Sequence, residues 1–579
     1  MRLSAIGFIG VCSLAVAAGC GRNRSKEESS SQHVAPPVPA PEGLMGEIVV
    51  PHPDRTWEAV RDALGPMPLL PVSAAVFLGD ALGLPVAALE QLDLVVPLVG
   101  AVVEAHETFV TVVGIHVKDG ARLVELVTAP GGHFSKGPSQ DGITALTSTA
   151  KSDAWSYAVA GNYLVVAKDA ETLRRVAPFV SRTLASRPPP TEDVVAIASQ
   201  GSLQGSIARR AKQIWASWKH DRESDDAALR AKHGGSAPDF GDPAEALADI
   251  DSKVDRFFAI LSDLSESRLA VVIDPKAPEH AATLRASLTM KPQSPSGPAG
   301  REIETMPVAG AEPLLSLPAS TAVAVLTRDT PELREQSSTE QVGAIAKVLG
   351  GRLDADDKDK IESAFRSWSA GRGDWLTAGL VWAGPAKAAI LRGAVANPVE
   401  LGRGATAMLK LLGVRAIAEP LSNWVGDLKL SWGPAAGAGE GAVQTVHVVR
   451  RPPKVQLRHD RDRPAQNDAF DIVWSIGKDV FAGAAGQDAK GAFAALQKAD
   501  NGKTLAQVPF LSRTLERLGP TLSFALFVDS SKLAEASPSG GEGSPILLTY
   551  GKDRQNQAWL ELDAPTSVLT AYATLLNGL

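Results

Sequence analysis

Along residues 470–476 the apolar positions Phe470, Ile472, Trp474 and Ile476 alternate with Asp471, Val473 and Ser475, which predicts a strand with one buried face. A further strand at 480–482, after the turn pair Gly477-Lys478, completes a hairpin. The same figure occurs earlier, where strands at 156–160 and 163–168 flank Gly161-Asn162, a pair able to adopt positive φ. Both hairpins lead into helices. After the first, Asp169 is placed to cap a helix with Leu173, Val176 and Val180 on one stripe, and Pro178 should kink or restart it. Residues 108–127 and 387–409 share a strand-then-helix pattern. The longest apolar run of the body, 94–103, is interrupted by Pro97 and is too short to cross a bilayer, so it reads as a buried strand pair.

These likenesses belong to an internal repeat. Pro-Phe-Val-Ser-Arg-Thr-Leu at 178–184 recurs as Pro-Phe-Leu-Ser-Arg-Thr-Leu at 509–515, six identities in seven at an offset of 331. Downstream, 193–197 through Leu203 matches 523–527 through Leu533 at an offset of 330. The recurring unit is two or three antiparallel strands followed by a helix. It predicts an α+β fold of two tandem homologous modules, each an antiparallel sheet with flanking helices on one face.

The first module carries an insertion at 206–264. Ile207, Ala211, Ile214, Trp215 and Trp218 fall at helical spacing. A second helix opens with Asp242, Pro243 and Glu245 as a capping box and continues with Leu247, Ile250, Val254, Phe257, Phe258 and Leu261 on one stripe. Together they predict an αα-hairpin joined by a charged loop at 221–241. Packing of these stripes against the sheet is one reading. The other is a partner surface centred on Trp215 and Trp218, the aromatic type enriched in interface hot spots.

The N-terminus supplies an address. Arg2 precedes an almost unbroken apolar stretch at 3–18 that ends in small residues, which is signal-peptide organisation. Val16-Ala17-Ala18-Gly19-Cys20 resembles a bacterial lipobox, although Ala17 stands where leucine is usual. The resemblance implies that Cys20 becomes the mature N-terminus and carries diacylglycerol and a further acyl chain such as palmitate. It also implies that Gly21, not being aspartate, leaves the protein free to reach the outer membrane of a Gram-negative cell, facing periplasm or cell surface. The polar residues 21–33 and the stretch 34–43, with four prolines, would form a flexible and then extended tether.

Composition narrows the function classes. Of 579 residues, 44% are hydrophobic and 21% charged, so the body is globular, and 58 basic against 65 acidic residues give no nucleic-acid signal. Both cysteines lie within the first 20 residues, which leaves the body without disulfides, thiolate nucleophile or cysteine metal site. A Gly-x-Ser-x-Gly elbow is absent. Gly502-Lys503-Thr504 lacks the first P-loop glycine, and His106-Glu107 lacks a second histidine at position 110. His116 reads as a strand residue near a turn, and His459 as part of a solvated mixed-charge loop. Asp354, Asp356, Asp357 and Asp359 read as first-turn acids of a helix rather than half a calcium loop. Arg372-Gly373-Asp374 reads as a glycine turn entering a strand.

The phrase at 157–167 followed by Asp-Ala-Glu-Thr-Leu at 169–173 resembles bacterial envelope proteins known only as domains of unknown function; the resemblance implies a fold and no activity. The organisation expected is a signal peptide at 1–19, a tether at 20–45, a first module at 46–290, a linker at 291–313 and a second module at 314–579. The function expected is non-catalytic binding or scaffolding in the envelope, with the membrane and an envelope protein as partners. No cofactor, metal ligand or catalytic residue is assigned. The alternatives are an envelope hydrolase with a site assembled from distant residues, and a carrier for an apolar ligand.

Overall fold

The computed structural model describes residues 36–566, apart from 65–70, 106–107, 131–132, 149–154, 233–242, 275–281, 384–385, 425, 435–440, 452–467, 499–502 and 534–544. Cys20, Asp242 and His459 therefore lie outside the described residues. The described residues divide into two compact units, one within 36–214, 258–301 and 559–566, the other within 215–257 and 302–558.

The first unit holds β1 (Leu44–Val50), β2 (Leu98–Ala105), β3 (Thr108–His116), β4 (Phe134–Gln140), β5 (Ile143–Ser148), β6 (Ser156–Ala160), β7 (Tyr163–Ala167), β8 (Val194–Ser199), β9 (Leu264–Asp274) and β10 (Thr283–Pro292). They pair antiparallel in the order β4-β5-β6-β7-β3-β2-β1-β8-β9-β10. The second unit holds β11 (Thr321–Arg328), β12 (Arg372–Ala383), β13 (Ala386–Val395), β14 (Leu428–Trp432), β15 (Gln444–Arg450), β16 (Asp468–Ile476), β17 (Val480–Gly486), β18 (Leu522–Asp529) and β19 (Pro545–Lys552). Their antiparallel order is β14-β15-β16-β17-β13-β12-β11-β18-β19. Nine strands thus follow one succession in both units. The last strand, β20 (Ala558–Pro565), pairs with β10, and all of it but Ala558 falls in the first unit. A neighbour for an edge strand is set by long-range pairing, which local sequence does not encode.

The centre of the first sheet is buried on both faces. Leu164 and Val166 of β7 join Ile115, Tyr157 and Val159 in one apolar cluster, while Val165 and Ala167 join Val112, Ala158 and Ala160 in another. Alternating side chains leave opposite faces of a strand, so Tyr163–Ala167 is apolar throughout because both faces are covered. Helix Gly120–Val127 supplies Leu123, Val124 and Val127 to the first cluster, and helix Ala170–Pro178 supplies Leu173 and Val176 to the second. Helices on both faces replace the one-sided arrangement expected. Asp169 caps the second helix, accepting from Thr172 N at 2.6 Å. Gly161 has φ of +58°, and a Cβ on Gly120 would lie 2.1 Å from its carbonyl oxygen, so hairpin turn and helix start meet backbone to backbone.

The repeated heptapeptide occupies different helical positions in the two units. Pro178 ends an α-helix that continues as the π-helical turn Phe179–Leu184, whereas Pro509 opens helix Pro509–Leu518. Burial still corresponds: Val180 and Leu184 match Leu511 and Leu515, each at most 3% exposed. One expectation is corrected. Residues 94–103 yield one strand, β2, because Pro97 ends the loop before it. Within 291–313 the structure forms helix Pro298–Thr305, with Ala299 and Ile303 buried, and begins the short helix Glu312–Leu315; Pro298 and Pro313 stand in the first turns of these helices.

Candidate functional site

The inserted hairpin forms from helices Ala208–Lys232 and Pro243–Ser262, between β8 and β9. The first helix runs through 221–232, where a loop was expected, because Ala227, Ala228, Leu229 and Arg230 are strong helix formers. Trp215 Nε1 donates to Asp251 Oδ1 at 2.9 Å, and Lys219 pairs with the other oxygen of the same carboxylate. Farther along, Lys212 lies over the Phe258 ring at 5.5 Å, so the two helices run antiparallel. The Lys219 hydrogen bond first, and then that of Trp215, holds the Asp251 carboxyl below its ordinary value. Asp251 in turn raises the Lys219 ammonium.

This polar seam decides which apolar residues remain outside. Trp218 stacks on Trp215 with ring centroids 4.9 Å apart, yet is 39% exposed, and Ile250 and Phe257 are 39% and 55% exposed. At about 100° per residue, Trp218 turns to one side of the Trp215/Lys219 ridge, and Ile250 and Phe257 turn to one side of Asp251. Antiparallel helices bring these sides to the same face. Phe258, the next residue, is buried at 8%. The stripe expected to pack against the sheet is therefore split: Phe258 reaches core, while Trp218, Ile250 and Phe257 stay open to solvent. Periodicity groups all of them and cannot separate the two.

Other sequence candidates resolve into structural roles. Asp354 Oδ1 accepts from Asp357 N at 2.8 Å as the cap of helix Ala355–Gly371, and Lys360 bridges Asp356 at 2.5 Å and Asp357 at 3.3 Å. The three aspartates lie close enough to hold a cation, but capping and Lys360 already engage them. Arg372-Gly373-Asp374 opens β12, with Gly373 buried and Arg372 bonded to Asp329 at 2.5 Å, so the tripeptide does not form an adhesive loop.

Two histidine–aspartate pairs escaped the sequence reading, because their partners lie more than 20 residues apart. His116 Nδ1 meets Asp93 Oδ2 at 3.0 Å beside the edge of Tyr163, and His447 Nδ1 meets Asp471 Oδ1 at 2.9 Å. The pairing sets an imidazole in place as a base does in hydrolases. Such a site would also need a serine, threonine or cysteine side chain beside the ring.

Burial first, and then Glu58 and Asp93, push the nearby Asp54 carboxyl above its ordinary value. The folded protein therefore holds this proton more tightly than the unfolded chain does. The associated stability is present below pH 3.8 and is lost as pH rises through the higher folded value. Against Asp54→Asn, the wild type should lose stability between acidic and neutral pH. Denaturant titrations of both proteins at the two pH values measure the difference, which vanishes if Asp54 titrates normally.

The comparisons add no relative. No protein-family description, curated protein or solved structure matches the chain.

Proposed function

We propose that this chain is a lipid-anchored, non-catalytic envelope protein, held in the outer membrane through Cys20, that acts by binding a protein partner through the hairpin face around Trp215 and Trp218. The observation that carries this reading is the exposure of Trp218, Ile250 and Phe257 on one side of a hairpin. Large aromatic and aliphatic side chains grouped on an open face are the usual anchors of an interface. The shared strand order and the repeated heptapeptide support two tandem modules of common origin, into one of which the hairpin was inserted. The lipobox and the proline-rich tether support the anchor and leave the body free to reach a partner beyond the bilayer surface.

Crosslinking in intact membranes, followed by affinity purification, tests the binding role. The double variant Trp218→Glu/Ile250→Glu should reduce recovery of the crosslinked partner by about tenfold or more, since loss of hot-spot anchors costs about 2 kcal/mol or more. Its unfolding midpoint should stay close to that of the wild type, because both side chains are already exposed. Equal recovery from variant and wild type would exclude this face as the binding surface.

A further inference from the structure

A cleft of about 750 Å³ opens in the second unit between helix Pro331–Leu349 and helix Ala355–Gly371. Its volume falls in the range of small-molecule sites. Its wall combines Val342, Gly343 and Ala370 with Ser338, Thr339 and Ser369. Arg334, which also lines it, is only 7% exposed.

The charge around Arg334 does not balance locally. Its Nη1 donates to Asp329 Oδ1 at 3.0 Å and to the Gly373 carbonyl at 2.9 Å. The other oxygen of Asp329 accepts from Arg372 Nη2 at 2.5 Å. One carboxylate thus serves two guanidiniums, and the Nε atoms of both arginines are buried without an acceptor. Burial is the main force pulling Arg372 below its ordinary value, which marks these surroundings as poorly solvated. An unmatched cation there is costly until an anion joins it.

The nearby acids are exposed or engaged elsewhere: Glu362 is taken by Arg366 on the same helix, Glu335 is exposed, where water and salt screen its charge, and Glu332, which also feels Arg334, is exposed and bonded to its own backbone N–H and to Thr330. Pro331, at the first turn of the same helix as Arg334, also lines the cleft; the amides that follow it are engaged by Thr330 and Glu332, so Arg334 is the cation the cleft offers from this helix. In the first unit, the described residues between β1 and β2 form helix Pro53–Leu64, whose Trp57 enters the core, and short helices whose Leu78 and Ala88 do the same.

We infer that this cleft binds a small organic anion, its carboxylate or phosphate group drawn to the Arg334 guanidinium and its apolar body held against Val342, Gly343 and Ala370. This site is independent of the hairpin face, so either assignment stands or falls alone.

Calorimetric titration of the full chain with benzoate, phenyl phosphate and neutral benzamide tests the inference. Saturable binding of at least one anion, tenfold or more tighter than benzamide, is expected, and the two anions distinguish a carboxylate from a phosphate ligand. Arg334→Met should bring the anions down to the benzamide level. Because Arg334 also ties Asp329 to Gly373, a second variant guards against misfolding. A Cβ on Gly343 would meet nothing within 4 Å, so Gly343→Trp can extend a bulky ring from the cleft wall and should abolish binding while the unfolding midpoint holds. Absence of saturable binding by either anion, equal affinity for benzamide, or unchanged binding by Gly343→Trp would overturn the inference.

Discussion

Replacing Cys20 by serine is expected to abolish incorporation of radiolabelled palmitate and to move the protein from the membrane fraction to the soluble fraction. The sulfur is the only atom of this side chain able to carry the diacylglycerol thioether, and the N-terminal acyl chain follows only after that step in the lipobox reading. Each buried methylene contributes about 0.8 kcal/mol, and a single chain anchors only reversibly, so removing all chains should leave no stable attachment. Among the described residues, no helix is long and apolar enough to cross a membrane. Acidic residues outnumber basic ones, which disfavours adhesion to anionic lipid. Equal labelling of wild type and Cys20→Ser would overturn the anchor.

Phe527→Ala is expected to destabilise the second unit by about 3–5 kcal/mol, a large share of the roughly 5–15 kcal/mol that holds a domain folded. Phe527 is fully buried in β18, between β11 and β19, where truncation leaves a cavity that neighbouring strands cannot close. Phe257→Ala on the hairpin, 55% exposed, should cost less than about 1 kcal/mol. Denaturant unfolding followed by tryptophan fluorescence compares the two. Similar midpoints would mean that β18 does not lie in the interior. The same residue type thus separates a core position from a candidate contact position by environment alone.

The hairpins and the capped helices were legible because each depends on neighbours in sequence. Alternation at 470–476 gave β16, Asp169 and Asp354 marked helix starts, and the repeated heptapeptide pointed to units that use one strand order. The hairpin tryptophans were visible as a pair at helical spacing, and the stack they form is a local consequence. The cleft was not legible. Arg334 lies on a helix, Asp329 in the loop before it and Arg372 at the start of β12, and nothing in their sequence neighbourhoods announces that two guanidiniums share one carboxylate.

What the sequence by itself determined is local and covalent: the composition of the N-terminal segment, the placement of both cysteines before the body, helix caps, hairpin turns and the repeat. Tertiary structure alone decided that β20 pairs with β10, that Phe258 is buried while Phe257 is open, and that Arg334 lacks a full complement of acceptors. The physical reason is range. Periodicity and capping act within a few residues, whereas burial and charge balance depend on groups brought together from distant parts of the chain.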